Sequence, residues 1–252
     1  MNKIRFEIEK KTIIRKTPEE WNELSLDQLL FVAPRVMFVN KSLRIKRDIL
    51  YYFLKMKENN LQEMNQSQED GLLASLDFLF KSPQLTTNLI PEIKIGKIKL
   101  IGPADEIKNI TVSQFAFADK FMGDFLKTKE EKYLNLLLGT LYLERGNKFK
   151  KENVENIAKH INKLSLDKRL AMLAFFIGCR SKISEANKDI FKQGNKAKKG
   201  KTGWLGFFYE LAGPKIGTYN DVADMNFFEM LGIMRKINED AREATKQNKR
   251  RF

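Results

Sequence analysis

The sequence predicts an α+β protein, mainly α, with a small β-containing N-terminal part and a larger helical C-terminal domain. Three observations predict it. Residues 4 to 15 and 92 to 101 place apolar side chains at the two-residue period of strands. From Thr111 onward the apolar residues recur at three- and four-residue spacings, the period of an amphipathic helix. A hydroxyl residue followed three positions later by Glu or Gln stands ahead of several helical stretches, the pairing that satisfies the free amides of a helix start. The expected organisation is an α+β region over residues 1–105, then a helical domain over residues 106–252. That second domain carries a basic loop at 192–203 and a basic C-terminal tail.

Ile4, Phe6 and Ile8, followed by Thr12-Ile13-Ile14, read as two short strands. Thr17-Pro18-Glu19-Glu20 offers a hydroxyl cap, proline at the first helical position and a carboxylate at the third, so a short helix carrying Trp21 is expected. Ser25-Leu26-Asp27-Gln28 repeats the capping pattern for a helix through Leu29, Leu30, Ala33 and Met37, which Pro34 should kink or shorten. Ile45, Ile49, Phe53 and Met56 form one helix face. Residues 57 to 71 are polar, and a short helix with Leu72, Leu76, Leu79 and Phe80 stops before Pro83. Gly96-Lys97 separates two alternating runs and suits a tight hairpin turn, with one continuous strand as the alternative.

Thr111 with Gln114, then Phe115, Ala118, Met122 and Phe125, mark the next helix. Thr128 with Glu131 is expected to cap another, through Leu134, Leu137, Leu138 and Leu141. Further helices are expected at about 152–164, 166–178, 183–191, 204–211 and 225–244.

Composition narrows the function. The chain has 252 residues, 46 Lys+Arg against 32 Asp+Glu, one His and one Cys, for a net charge of +14. A single cysteine allows no internal disulfide. The longest apolar runs, such as Leu170 to Cys179, are far shorter than the roughly 20 residues that span a bilayer. The start, Met1 to Glu7, lacks the apolar region of a signal peptide. The expected location is therefore intracellular, with no membrane.

The residue types that carry most catalysis are scarce. Metal sites need clustered His, Cys, Asp or Glu, and His160 and Cys179 are each alone of their kind. His160 sits in an ordinary helical context, and Cys179 ends an apolar run as a small core residue would. Gly194-Asn195-Lys196-Ala197-Lys198-Lys199-Gly200-Lys201-Thr202 ends like a phosphate-binding loop. Its glycines are separated by five residues where that loop needs four, and no strand precedes it. Glu130-Glu131 complements a helix start. No catalytic, cofactor-binding or metal-binding residue is nominated, no cofactor is expected, and the expectation is a protein that is not an enzyme.

Two surface features remain. Trp204, Phe207, Phe208 and Leu211 would share one helix face, read either as core or as a surface for a partner helix. Beside them Lys196, Lys198, Lys199 and Lys201, with Arg250 and Arg251 in the tail, could meet an acidic partner or nucleic acid. Ordinary solvated loop lysines are the alternative.

Two stretches carry a family resemblance. Thr17-Pro18-Glu19-Glu20-Trp21-Asn22-Glu23-Leu24-Ser25-Leu26-Asp27-Gln28 resembles the opening of phage-encoded proteins. Asn109-Ile110-Thr111-Val112-Ser113-Gln114-Phe115, Ala118-Asp119, Leu134, Leu137 and Leu141-Tyr142 are similar to phage tail assembly chaperones. Where those proteins often carry Arg-Pro after Leu-Tyr, this chain has Leu143-Glu144-Arg145. The resemblance implies a non-enzymatic phage or prophage assembly protein, a tail-associated chaperone that binds an apolar helical client such as a tape-measure-like protein. It places the chain in the bacterial cytoplasm, with the virion as an alternative. A nucleic-acid-binding protein, or a connector or tail subunit of the virion, are the other expectations.

Overall fold

The computed structural model describes residues 2–8, 11–37, 42–56, 66–188, 190 and 216–249. In chain order the elements are β1 (Asn2–Ile8), β2 (Lys11–Thr17), α1 (Leu26–Met37), α2 (Leu43–Leu54) and α3 (Gln66–Ser75). Then come β3 (Glu92–Ile95), β4 (Ile98–Ile101), α4 (Val112–Thr128), α5 (Glu131–Leu141) and β5 (Leu143–Glu144). α6 (Val154–Ile161), α7 (Leu166–Ala186), α8 (Tyr219–Asp224) and α9 (Phe227–Lys249) follow. The class is α+β and mainly helical, as the sequence predicts.

The chain divides into two compact units, one of Met1–Ile90 with Leu164–Ser181, the other of Pro91–Lys163 with Lys182–Phe252. These are not the contiguous segments 1–105 and 106–252. The β3–β4 hairpin lies in the second unit because β4 pairs with β5, with Leu100 opposite Glu144 and Ile101 opposite Leu143.

In the first unit β1 and β2 form an antiparallel hairpin running from Asn2↔Thr17 to Ile8↔Lys11. Thr17 is thus a buried strand residue rather than a helix cap. The turn it was expected to cap is a short 3₁₀ segment, Trp21–Glu23, closed instead by Glu23 Oε2 accepting from the Glu19 amide at 2.8 Å. The Ser25 box forms as expected: Gln28 Oε1 accepts from the Ser25 amide at 2.8 Å, and Ser25 Oγ from the Gln28 amide at 3.3 Å. α1 continues past Pro34 to Met37.

Ile49, Leu50, Phe53 and Leu54 of α2 are buried, as are Leu29, Val32 and Ala33 of α1. Burying an aliphatic side chain of this size contributes about 1.5–3 kcal/mol. Trp21 is 1% exposed, and its indole nitrogen donates to the Phe78 carbonyl at 3.2 Å, so the ring's one polar atom is satisfied. The last carbonyl of α2, on Leu54, accepts from Arg15 Nε at 3.1 Å, which ties the hairpin to the helix end. Arg47 grips Glu69 of α3 through two nitrogens, Nη2 lying 3.0 Å from Oε2. That hydrogen bond, reinforced by the carboxylate's charge, raises the guanidinium pKa above its ordinary value.

α7 runs unbroken where the sequence suggests two helices separated near Gly178. Gly178 lies inside it because the backbone of Leu85 passes directly over that position.

In the second unit, Thr111 and Gln114 form the expected reciprocal capping box at the start of α4. Thr128 does not cap α5. It is the last residue of α4, and its hydroxyl donates to the Asp124 carbonyl at 3.0 Å. The same oxygen accepts from the Glu130 amide at 3.2 Å, and Glu130 is the cap position of α5. α4 meets the start of α9 through a short backbone bridge, with Val112 N donating to Met225 O and Phe227 N to Ile110 O, each at 3.0 Å. The rings of Phe115 and Phe227 stack beside it, 3.9 Å apart.

Candidate partner-binding groove

The sequence-derived candidates, Trp204, Phe207, Phe208 and Leu211 together with Lys196, Lys198, Lys199, Lys201, Arg250 and Arg251, lie outside the described residues. So does the glycine-flanked segment that mimics a phosphate loop. Cys179 is buried in α7, its Sγ 4.0 Å from the carbonyl oxygens of Leu85 and Thr86. His160 is half-buried in the last turn of α6. Among the described residues no group of three or more His, Cys, Asp or Glu is placed to hold a metal. No described helix is long and apolar enough to cross a membrane.

The first unit carries a groove that the sequence reading does not single out. It has a volume of about 820 Å³ and lies along α1 and α2. Phe31 of α1 and Tyr52 of α2 form its centre, their rings 3.9 Å apart and within 7° of parallel. Arg35, one turn after Phe31, lays its guanidinium 3.6 Å from the Phe31 ring centre. The same guanidinium donates from Nη1 to the Phe31 carbonyl at 2.8 Å, which fixes it in place. Cation, phenyl and phenol make a three-layer stack built from a four-residue spacing on one helix and a single residue of the next. Such face-to-face contacts contribute about 0.5–2 kcal/mol each.

The composition of the groove suits protein recognition. Its apolar lining comes from Phe31, Tyr51, Tyr52, Phe53 and Met56. Charges of both signs, Asp27, Arg35, Asp48 and Lys55, complete it. Tyr, Phe, Met and Arg are the side chains that supply most contact energy at interfaces, with polar groups around them. Tyr51 falls off the Ile45–Ile49–Phe53–Met56 face, but Tyr52, seven residues after Ile45, falls on it, so helical spacing alone reads Tyr52 as core and does not single out the groove.

A second hollow, of about 300 Å³, lies in the other unit between the middle of α9 and the end of α7 with the residues that follow it. Asn187 anchors it, accepting from Arg235 at 2.7 and 3.2 Å and donating to the Ile183 carbonyl at 2.7 Å. Lys188, Arg235 and Arg242 line it together with Glu185 and Glu239, so both signs of charge are present.

Comparison of the chain with protein families, with curated proteins and with solved structures finds no match. What stands is the class that fold and groove define: a mainly helical α+β protein with an aromatic groove on its first unit.

Proposed function

We propose that the chain is a non-enzymatic phage assembly protein, a tail-associated chaperone that holds an apolar helical client in the bacterial cytoplasm before assembly. The stacked Phe31–Tyr52 pair carries this reading. Both rings are only half-buried, and they line a groove of about 820 Å³. An apolar helix laid there would cover both rings, while Asp27, Asp48, Arg35 and Lys55 would meet its polar flanks. The resemblance of the Trp21 and Thr111 stretches to phage proteins is what suggests a tape-measure-like client.

Co-expression with the tape-measure protein of the same phage tests it. The client should become soluble and co-purify, and the complex should persist at about 0.5 M salt because apolar burial is little screened. Phe31→Ser with Tyr52→Ser should return the client to the insoluble fraction while the variant itself stays folded by circular dichroism. A client equally soluble without this chain, or held equally well by the double variant, would sink the proposal.

A further inference from the structure

We infer that the second unit carries a binding surface for single-stranded nucleic acid, built from the outer face of the β3–β4–β5 sheet and the Arg145–Lys151 segment that follows it. It is built from other residues than the lysines at 196–201 and the arginines at 250 and 251, and it does not depend on the groove of the first unit.

The sheet register sets the first part. Lys94 of β3 lies directly opposite Lys99 of β4. The β4–β5 pairing continues one residue further, with the Arg145 amide donating to the Lys99 carbonyl at 3.2 Å. Directly opposed residues share a face, so Lys94 and Lys99 stand side by side, and Arg145, in the turn just past β5, adjoins Lys99. Ile93 and Leu100 point the other way and are buried. Like charges set opposite each other weaken a sheet, and among the described residues only Lys99 of the three has a carboxylate in reach, Glu92 at 2.6 Å. Among the described residues Lys94 and Arg145 have no ion-pair partner, and both are exposed.

The second part is aromatic. From Arg145 to Lys151 the chain reads Arg-Gly-Asn-Lys-Phe-Lys-Lys, with no acid. Phe149 is half-buried, its ring 6.1 Å from that of Phe117 on α4, which in turn lies 6.2 Å from Phe121 one turn on. Lys151 sits 5.5 Å from the Phe117 ring centre and Lys120 5.8 Å from that of Phe121. Asp119 and Glu152 adjoin this cluster in sequence without reversing its charge. A set of cations leading into a cluster of half-buried rings is what a single strand requires. Its phosphates meet Lys and Arg, and its unpaired bases stack on phenyl faces. A purely acidic protein surface would use the charges and leave the rings without a role.

Fluorescence anisotropy with a labelled twenty-nucleotide oligo-dT tests this. The chain should bind it more tightly than a duplex of the same length. Its log affinity should fall linearly with log salt. Arg145→Gln with Lys148→Gln and Lys150→Gln, all at exposed positions, should make that slope shallower by about two, at roughly 0.7 per lost phosphate contact. Phe149→Ala should weaken binding about 5- to 100-fold at every salt concentration. Phe149→Tyr, which keeps a stacking face, should restore most of it. Equal or tighter binding of the duplex would overturn the inference. So would a slope unchanged by the triple substitution, since the charge would then lie elsewhere. Polyglutamate bound as well as the oligonucleotide, and weakened as much by Phe149→Ala, would mark the surface as one for an acidic protein instead.

Discussion

Gly178 and the backbone of Leu85 approach so closely that a Cβ built on Gly178 would lie 2.1 Å from the Leu85 carbonyl oxygen. The neighbour is main chain, which cannot swing aside as a side chain would. Ala at 178 therefore either breaks the contact or bends α7. The expected cost is about 3 kcal/mol or more, read as a fall in the midpoint of urea unfolding, or a failure to accumulate as soluble protein. Gly123 of α4 is the control. Among the described residues nothing outside its own helix turn lies within 4 Å of its Cβ position, so Gly123→Ala should stabilise by about 0.5–1 kcal/mol through helix propensity alone.

Arg47 and Glu69 make a second test. Glu69 is only 7% exposed, whereas the arginine side chain retains more solvent contact. Arg47→Ala strands a carboxylate in a mostly dry site. Arg47→Met combined with Glu69→Leu removes both charges and fills the space. Thermal denaturation should rank the single variant clearly below the double, because an unpaired buried charge costs more than a missing pair. The opposite order would show that the pair itself, not the avoidance of an orphaned charge, stabilises α2 against α3.

Asp221 gives the pH dependence. Its carboxylate accepts from the Thr218 hydroxyl at 2.7 Å and from the Thr218 amide at 2.8 Å at the start of α8. These bonds, the side-chain one first, hold its pKa below the ordinary carboxylate value. A group depressed in the folded state contributes its full stability above the unfolded pKa and loses it as pH falls through the folded one. Wild type should thus melt above Asp221→Asn near neutrality. The gap should close as the pH drops below about 4. A gap constant from pH 7 to pH 2 would refute the assignment.

Thr111 serves two structures at once. Its hydroxyl caps α4 by accepting from the Gln114 amide at 3.2 Å, and its backbone bridges to Asn226. Thr111→Ala removes the cap and the hydroxyl's 3.0 Å contact with Ser113 Oγ, leaves the backbone bridge, and should cost about 1 kcal/mol, with circular dichroism at 222 nm otherwise unchanged.

What is legible in the residues follows the range of each interaction. Ser25 with Gln28 and Thr111 with Gln114 were legible because the cap and its target are three residues apart. The Gly96-Lys97 hairpin was legible for the same reason. Thr17 and Thr128 have the same local spelling but other duties, in a strand and at a helix end, assigned by tertiary partners. The two-residue β5 has no sequence period of its own, yet it decides which unit holds the hairpin. Where the sequence predicts helices at about 166–178 and 183–191, α7 runs unbroken through Gly178, although a glycine in mid-helix normally weakens it. Here the glycine is the condition for packing against Leu85. Phe31 and Tyr52 meet across two helices, and no local rule brings them together.

The discontinuous make-up of the first unit has a consequence during synthesis. Residues 1–90 leave the ribosome first, but the stretch that completes their unit, Leu164–Ser181, is the far end of a long detour. At about 5–20 residues per second, roughly 5 to 20 seconds separate the two. For that interval the Leu85 strand of backbone has no Gly178 to lie against, and its apolar neighbours stay wet. The nascent chain is thus itself an aggregation-prone client for a time, and conditions that slow translation should lower the yield of folded protein before they alter its stability.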